Sequence, residues 1–427
     1  MRLKMSIKGA AFTILCLLLL YMPLHYYICE LFLKRFKFDN ILRDIVIILL
    51  LLLTLLQTRF KIHSIGLWVL LNCIIMVSFA LFSILFFKYP GTFNILRTYL
   101  IPCLIFFCCS KIELDKKKLF KIHQIVIIEL SLIAIYGFFQ AFILGDDFII
   151  KLGYQSNGGV LAGTSYYIGG YWGYQRSVGT FVSPNVCGVI LAIALCVLLF
   201  SDVDLKIKYK ALLGGMLGVG ILATFSRSAI LGFILSWLFV YIVTGKIKRL
   251  NVRRIMIVFV FLVVASFSIL VIDKFFLNSL FTTMLSSSFM GALNRTDFST
   301  AKHISDLTEP LKLILEHPFG FGFGNNGPMA LGINSNANAV ESSIYLMIYE
   351  VGILFGIMFY VPYIWVIVKT IVDRKYRYYT PAAICVAVLF TYVLLPNVQT
   401  YEILFYSYVF IGLYCNRSVR NVILQKK

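Results

Sequence analysis

The chain has 427 residues, of which 60% are hydrophobic and only 14% are charged, and its formal net charge is +20. A mean hydropathy of +0.89 excludes an ordinary soluble globular protein, in which about a quarter of the residues are charged. The lysines and arginines lie mostly between hydrophobic segments, which is typical of membrane topology signals and argues against nucleic acid as a partner. We therefore expect an all-α polytopic membrane protein that contacts the lipid bilayer.

Hydrophobic runs that could each cross a bilayer core recur along the chain, since such a crossing needs about 20 apolar residues. They predict about twelve transmembrane helices in one integral membrane domain, 1–427, with a long outer loop between spans 9 and 10. The predicted spans are roughly 9–30, 40–57, 63–87, 92–110, 122–145, 184–200, 207–224, 227–245, 253–272, 341–368, 379–396 and 399–415. The first run lacks a small-residue cleavage site and is therefore predicted to be an uncleaved span.

The distribution of basic residues predicts the orientation. With the N-terminus inside, roughly two-thirds of the 39 Lys and Arg residues fall on the cytoplasmic side, as the positive-inside rule requires. Both termini are then cytoplasmic in a multi-pass protein. Lys34, Arg35 and Lys37 fall on the outer side in this topology, so eleven or thirteen spans remain alternatives. The first hundred residues predict spans and no chemistry.

The segments assigned to the inner side are short and basic, without a phosphate-binding loop, a CxxC or an HExxH motif. The ten cysteines lie in or beside apolar spans at no metal-ligand spacing, which predicts buried thiols. We therefore expect no cofactor and no metal site, and any chemistry on the outer face. The adjacent Asp146 and Asp147 are interpreted as a solvated loop, with a metal or substrate role as the alternative.

The first outer loop, 146–183, alternates glycines with aromatic residues between positions 153 and 176. Tyr and Trp are common at membrane interfaces because one end is apolar and the other is wet. The functional alternative is a sugar-binding surface, in which aromatic faces stack on pyranose rings and glycines let the backbone approach a ligand. On that interpretation the glycan-binding candidates are Tyr171, Trp172 and Tyr174.

Two arginines lie at the ends of spans on the predicted outer side. Arg176 precedes the span 184–200, and Arg227 lies between two spans with almost no loop. Arginine stays protonated and binds phosphate through a planar fork, and an Arg at membrane depth is expensive unless it has a functional partner. Two such cations could converge on one diphosphate. Interfacial snorkelling is the alternative for Arg176.

The segment 273–340 is the only long polar interval in the sequence, and membrane helices need only a few residues to turn around. It holds Arg295 and a predicted surface helix over 295–318. His303 and His317 are candidate bases, with structural roles as the alternative. The Gly-Phe repeat over 320–324 predicts a close turn, because a nucleotide loop would need a strand-helix context that is missing here.

Two glutamates lie in or beside the span that follows. Glu341 begins it, and a carboxylate at this position is stabilised by the positive end of the helix dipole, which is the structural alternative to a catalytic role. Glu350 lies nine residues further on, within the apolar region, where a buried acid pairs with a cation or takes part in proton chemistry. Each glutamate is a candidate general base towards a sugar hydroxyl, or an ion-pair partner of Arg176, Arg227 or Arg295.

Four motifs together resemble the O-antigen ligase/polymerase superfamily of bacterial membrane enzymes, and they occur in the order seen there. They are Arg176-Ser-Val-Gly-Thr-Phe-Val-Ser-Pro-Asn185, Ser226-Arg227-Ser228, Glu316-His-Pro-Phe-Gly-Phe-Gly-Phe-Gly-Asn325 and the stretch from Glu341 to Gly352. The resemblance covers residues 120–415 in layout. Where ligase members typically carry a His-Asn pair, this chain has Glu341-Ser342, which looks more like the polymerase members.

The resemblance implies a metal-independent helical glycosyltransferase on the outer face of the bacterial inner membrane. Its donor would be an undecaprenyl-diphosphate-linked oligosaccharide and its acceptor a lipid-linked repeat unit, and a chain-length regulator is a candidate partner. By similarity, Arg176 and Arg227 would bind the diphosphate and Arg295 would assist. Glu341 and Glu350 are the candidate catalytic residues, and His317 and Asn325 are further glycan-binding candidates. An O-antigen ligase acting on lipid A-core and a flippase of lipid-linked oligosaccharide are the alternatives.

Overall fold

A computed structural model of the chain describes residues 2–29, 41–57, 64–201, 205–245, 314–331 and 340–425, apart from 155, 158–159, 162–163, 169–174 and 374. Its N-terminal half contains helices α1 (Arg2–Tyr21), α2 (His25–Ile28), α3 (Ile41–Gln57), α4 (Ser64–Phe82), α5 (Thr92–Lys111), α6 (Lys116–Phe139), α7 (Gly145–Lys151), α8 (Pro184–Phe200), α9 (Ile207–Ala223) and α10 (Arg227–Val243). The C-terminal part contains α11 (Pro328–Leu331), α12 (Ser343–Met358), α13 (Val361–Val372), α14 (Tyr379–Leu394), α15 (Tyr401–Cys415) and α16 (Arg417–Leu424).

The described part of the chain is helical and strongly apolar, as expected for a membrane protein. Five stretches are long and apolar enough to cross a membrane: Gly9–Ile28, Ile65–Phe87, Thr92–Lys111, Lys116–Lys151 and Ser343–Val372. The other predicted spans coincide with shorter helices of 15 to 17 residues, except 253–272, which lies outside the described residues. The count of twelve spans stays a prediction.

Local capping explains where some of these helices begin. The side chain of Asp115 accepts a hydrogen bond from the backbone N–H of Lys118 at 2.7 Å, so α6 begins at Lys116 rather than at the predicted residue 122. Ser183 caps α8 in the same way through the N–H of Val186. An N-cap side chain satisfies one of the N–H groups that the first helical turn leaves unpaired.

The segment 146–183 is more ordered than the predicted loop. It contains α7 and a small antiparallel ribbon of two strands, β1 (Ser156–Asn157) and β2 (Val160–Leu161), paired as Ser156 with Leu161 and Asn157 with Val160. The predicted all-α fold therefore has this one strand pair in the residues that the structure describes.

Helix α8 lies at the centre of the bundle, and nearly all of it, from Pro184 to Leu198, is buried. It packs against α6, α9, α10 and α14. Small residues bring the helices close together: a Cβ on Gly220 of α9 would lie 2.5 Å from the Cβ of Ala134 in α6. Such close approach of backbones is how membrane helices associate without a hydrophobic driving force between them. Helices α3 and α4, by contrast, expose leucine faces suited to lipid.

Contacts between helix ends define two ends of the bundle. At one, the Asn416 end, the amide of Asn416 donates to the carbonyls of Cys109 and Ile112 at 2.7 and 2.8 Å. At the other, the Arg227 end, the Tyr27 hydroxyl donates to the carbonyl of Gly179 at 2.9 Å. The predicted topology places the Arg227 end outside.

Candidate functional site at the Arg227 end

A tight turn between α9 and α10 positions Arg227 as the first residue of its helix. Phe225 in this turn adopts a left-handed conformation with φ 49°, which is unusual for a bulky residue. The hydroxyl of Thr224 accepts the N–H of Ser226 at 3.2 Å and donates to the carbonyl of Ile221. The turn is therefore fixed by its own side chains, and so is the direction in which α10 begins.

The segment that carries Arg176 lies directly on this turn. The N–H of Ser177 donates to the carbonyl of Ala223 at 2.9 Å. The guanidinium of Arg176 donates three hydrogen bonds, to the carbonyls of Thr224 at 2.7 Å and Ser165 at 2.8 Å and to the Asn185 side-chain oxygen at 2.8 Å. These charge-assisted bonds hold the guanidinium in one orientation.

The structure thus brings the two predicted arginines together. Arg227 is exposed and has no ion-pair or hydrogen-bond partner among the described residues. Burial, and then the neighbouring charge of Arg227, lower the pKa of Arg176 to about 10, so Arg176 remains positive at neutral pH. Arg227 also occupies the positive end of a helix dipole, an unfavourable place for a cation. The result is a concentrated positive potential that suits an anionic ligand.

Glu341 lies towards the same end of α14 as Arg227. Gly232, five residues after Arg227, packs against Ala387 and Thr391 in the carboxyl-terminal half of α14. Ser343, two residues after Glu341, donates its N–H to the carbonyl of Leu395, directly after that helix. Glu341 itself is half-buried and precedes α12, whose first residue is Ser343 rather than the predicted residue 341.

Helix α12 is broken at Gly352, which has φ 82° and ψ 167°. The segment 318–322 supplies the hydrogen bonds that the break removes. The carbonyl of Pro318 accepts the N–H of Ile353 at 3.0 Å, and the N–H groups of Phe321 and Gly322 donate to the carbonyls of Tyr349 and Glu350. Irregular backbone at membrane depth is tolerated where protein satisfies it in this way.

The Gly-Phe repeat forms the close turn that its glycines predict. Gly320, Gly322 and Gly324 all have positive φ, of 80°, 83° and 97°. Phe323 is fully buried, and its N–H donates to the Ser83 hydroxyl at 2.8 Å. The repeat therefore anchors this segment to the bundle.

Glu350 is fully buried, and both of its carboxylate oxygens accept hydrogen bonds from neutral donors. The Tyr99 hydroxyl donates to Oε2 at 2.6 Å and the Gln399 amide to Oε1 at 2.9 Å. No ion pair joins Glu350 to Arg176 or Arg227 in the described part of the chain, which argues against these two arginines as its partners; the third candidate, Arg295, lies outside the described residues. The same Gln399 amide donates to the carbonyl of Asn326 and accepts the N–H of Met329.

The remaining sequence-predicted residues are scattered. His317 is exposed, with its ring 4.3 Å from that of Phe321, and Asn325 is half-buried. Their glycan-binding role stays a prediction, as no described contact joins them to the arginine pair. Arg295, His303, Tyr171, Trp172, Tyr174 and most of the predicted surface helix 295–318 lie outside the described residues.

Two other tyrosines of the first outer loop serve packing. The hydroxyls of Tyr154 and Tyr166 donate to the carbonyls of Phe181 and Val182 at 2.6 and 2.8 Å. They hold the loop against the segment that follows Arg176, so these two rings are not arranged as an open sugar-stacking surface.

A buried charge network in the first hundred residues was missed by the sequence interpretation. Asp44 pairs with the guanidinium groups of Arg43 at 3.0 Å and Arg97 at 3.1 Å. Arg43 also contacts His25 and lies 3.6 Å from the ring centre of Tyr401. The adjacent Arg-Asp pair near the start of an apolar run is the signal that could have predicted it, because charges at such a position need partners.

No family model matches this chain, and no curated protein matches it either. The resemblance to the O-antigen ligase/polymerase superfamily therefore rests on its four motifs alone.

Proposed function

We propose that the chain is a bacterial inner-membrane polysaccharide polymerase. It transfers a glycan from an undecaprenyl-diphosphate carrier onto a lipid-linked repeat unit at the outer face. The observation that carries this proposal is the convergence of Arg176 and Arg227: the guanidinium of Arg176 donates to the carbonyl of Thr224, in the turn that begins the helix of Arg227. Two adjacent like charges at the Arg227 end of the bundle repel each other and cost free energy, which an anionic ligand between them would offset.

The proposed reaction is a direct displacement. The acceptor hydroxyl oxygen forms a bond to the anomeric carbon of the donor, and the bond between that carbon and the diphosphate oxygen breaks. The leaving diphosphate keeps the electron pair, and the hydroxyl proton passes to a carboxylate. Preorganised cations at the leaving group stabilise the charge that develops there, and loss of one such donor typically costs about 10²–10³ in rate.

The two arginines have different roles in this proposal. Arg176 is held by three acceptors, so it is already oriented before the substrate arrives. Arg227 is exposed, and its guanidinium fork is available for the phosphate oxygens. Together they would divide positioning and charge neutralisation between them.

Glu341 is the better placed of the two candidate bases. It lies half-buried towards the carboxyl end of α14, as does Arg227, whereas Glu350 is fully enclosed by Tyr99 and Gln399. A general base must come within hydrogen-bond reach of the proton that it abstracts. We assign the base to Glu341 and a positioning role to Glu350, which holds the broken helix against Gln399.

The test is glycan length in cells that lack the native protein and carry Arg176→Ala or Arg227→Ala variants. We expect Arg227→Ala to reach the membrane at normal levels and both variants to give single-repeat products. Lys210→Ala serves as the control, since Lys210 lies near the start of α9 and its removal should leave long chains. Long chains in both arginine variants would refute the proposal.

The same gels separate the alternatives. Unattached long chains on the lipid carrier in a null strain would indicate a ligase, and carrier-linked repeats facing inward would indicate a flippase. A flippase needs ionisable residues along its path through the membrane. Glu129, midway along α6, and Glu350 are ionisable residues within helices. They are the observation that favours a flippase, and the glycan assay distinguishes it from a polymerase.

A further inference from the structure

A shallow polar cavity of about 300 Å³ lies beside the Arg176 segment. It is lined by Ala141, Leu144, Gly145, Asp146, Asp147 and Gln175. Its volume is at the lower end of the range of small-molecule sites, about 300–1,000 Å³. The wall at 141–144 belongs to a π-helical turn, Gln140–Leu144, a distortion that occurs frequently at functional sites.

The polar side chains at this cavity have unused hydrogen-bonding capacity. Gln175 is only 5% exposed, and neither its amide nitrogen nor its amide oxygen has a partner among the described residues. Asp146 accepts a hydrogen bond from the Tyr167 hydroxyl through Oδ2, whereas its Oδ1 is buried without a partner in the same part of the chain. Each such group costs free energy unless something pairs with it.

The kind of unpaired group identifies the ligand chemistry. The Asp146 oxygen and the Gln175 carbonyl oxygen need donors, while the Gln175 NH₂ needs an acceptor. A divalent cation would satisfy the two oxygens but leave the NH₂ unpaired. A group with neighbouring hydroxyls supplies donors and acceptors together, and a sugar ring has both. The half-exposed Leu144 adds an apolar wall for the C–H face of such a ring.

We propose that Asp146, Asp147 and Gln175 form a subsite for one sugar residue of the glycan substrate. Gln175 directly precedes Arg176 in the chain, so a sugar bound here would lie next to the positive pair. The exposed Asp147 at the rim would accept a further hydroxyl. The substrate assignment rests on the proposed function, whereas the sugar-binding chemistry rests on the cavity alone.

The test uses the full-length protein purified in detergent, with methyl glycosides of glucose, galactose and N-acetylglucosamine as probes. Saturation-transfer NMR reports binding of each probe. We expect a Kd on the order of millimolar for at least one of them, as is usual for a ligand of this size. Gln175→Leu and Asp146→Asn should each weaken that binding about tenfold, because the first removes a buried amide and the second replaces a carboxylate acceptor with an NH₂ donor.

Asp147→Asn, at the exposed rim, gives a second variant whose folding does not depend on a buried contact, and we expect about threefold weaker binding. Asp373→Asn and Gln425→Leu at the Asn416 end are matched controls that should bind as the wild type does. No binding of any probe by the wild type, or equal binding by wild type and all three cavity variants, would overturn the subsite. Calcium-induced stabilisation that Asp146→Asn abolishes, without any sugar binding, would overturn it in favour of a cation site.

The outcomes also separate this inference from the proposed function. Sugar binding that depends on Gln175, together with long glycans in Arg176→Ala and Arg227→Ala cells, would support the subsite and reject the polymerase. Short glycans in the arginine variants, with no sugar binding by the purified wild type, would support the polymerase and reject the subsite.

Discussion

Replacing Gly352 with alanine should disrupt the break in α12. The native φ of 82° with ψ 167° is a conformation that costs a non-glycine residue about 1–3 kcal/mol. The new Cβ would also lie 2.7 Å from the carbonyl oxygen of Pro318 and 2.8 Å from the carbonyl carbon of Phe319. Overpacking of this kind typically costs a further 1–3 kcal/mol. The sum of about 2–6 kcal/mol is large beside a typical unfolding free energy of about 5–15 kcal/mol.

The helix could instead straighten and avoid the strain. Straightening would release the three hydrogen bonds from the segment 318–322, which contribute about 0.5–1.5 kcal/mol each. The route with the lower free-energy cost determines how much stability is lost, so we expect Gly352→Ala to lower the unfolding free energy by about 2–4 kcal/mol.

Buried thiols provide the assay. All ten cysteines are free, and all but Cys415 are buried, so a thiol-reactive fluorogenic dye reports unfolding on heating in detergent. The unfolding temperature should fall by on the order of 5 °C. The matched control is Gly215→Ala in α9, where an added Cβ meets nothing within 4 Å and helix propensity predicts up to about 1 kcal/mol of stabilisation. If the Gly352 variant unfolds at the wild-type temperature, the break and its three hydrogen bonds are not what hold this region together.

Four other substitutions separate chemistry from stability. Arg227→Ala should leave the unfolding temperature within about 2 °C of the wild type, because an exposed residue is removed, while the initial rate of chain extension falls about 100-fold. Arg176→Lys keeps the charge but loses the fork that reaches three acceptors, so unfolding in denaturant should show a loss of about 2 kcal/mol; an unchanged midpoint would contradict the assigned hydrogen bonds. Glu350→Gln should retain the rate of chain extension to within about threefold, because the new amide can accept from Gln399 and donate to a rotated Tyr99 hydroxyl. Removing a catalytic base instead lowers a rate about 10²–10⁴-fold, so a loss of that size would make Glu350 the base. Asn416→Ala should lower the free energy of unfolding by about 2–4 kcal/mol, because the helix cap and two buried hydrogen bonds are lost. Extension rates should stay normal below the unfolding temperature, which checks that the Asn416 end carries no chemistry.

In the part of the chain that the structure describes, helices lie where the sequence predicts apolar spans, because hydrophobic runs of membrane length have few alternative structures. Alternation of spans across the bilayer also predicted that Arg176 and Arg227 lie at the same end. Glycines at alternate positions predicted the turn at 320–324, since positive φ is easy only for glycine.

What the sequence could not show were contacts between distant parts of the chain. Tyr99 is 251 positions from Glu350, and nothing local to either residue indicates the pair. The sequence therefore left Glu350 as a candidate base or an ion-pair partner, since a buried acid with two neutral donors has no sequence pattern. The pairing of Asp44 with Arg97 was missed for the same reason, although Arg43 and Asp44 are neighbours.

Gln399 has a consequence for how the Arg227 end can open. Its amide bonds at once to the carbonyl of Asn326, the N–H of Met329 and the carboxylate of Glu350. Moving any one of these segments away leaves a buried polar group of Gln399 without that partner. The stretches around Gly322, Met329, Glu350 and Gln399 should therefore exchange their amide hydrogens as a single cooperative unit. A substrate that enters beside these stretches would therefore require all of them to open together.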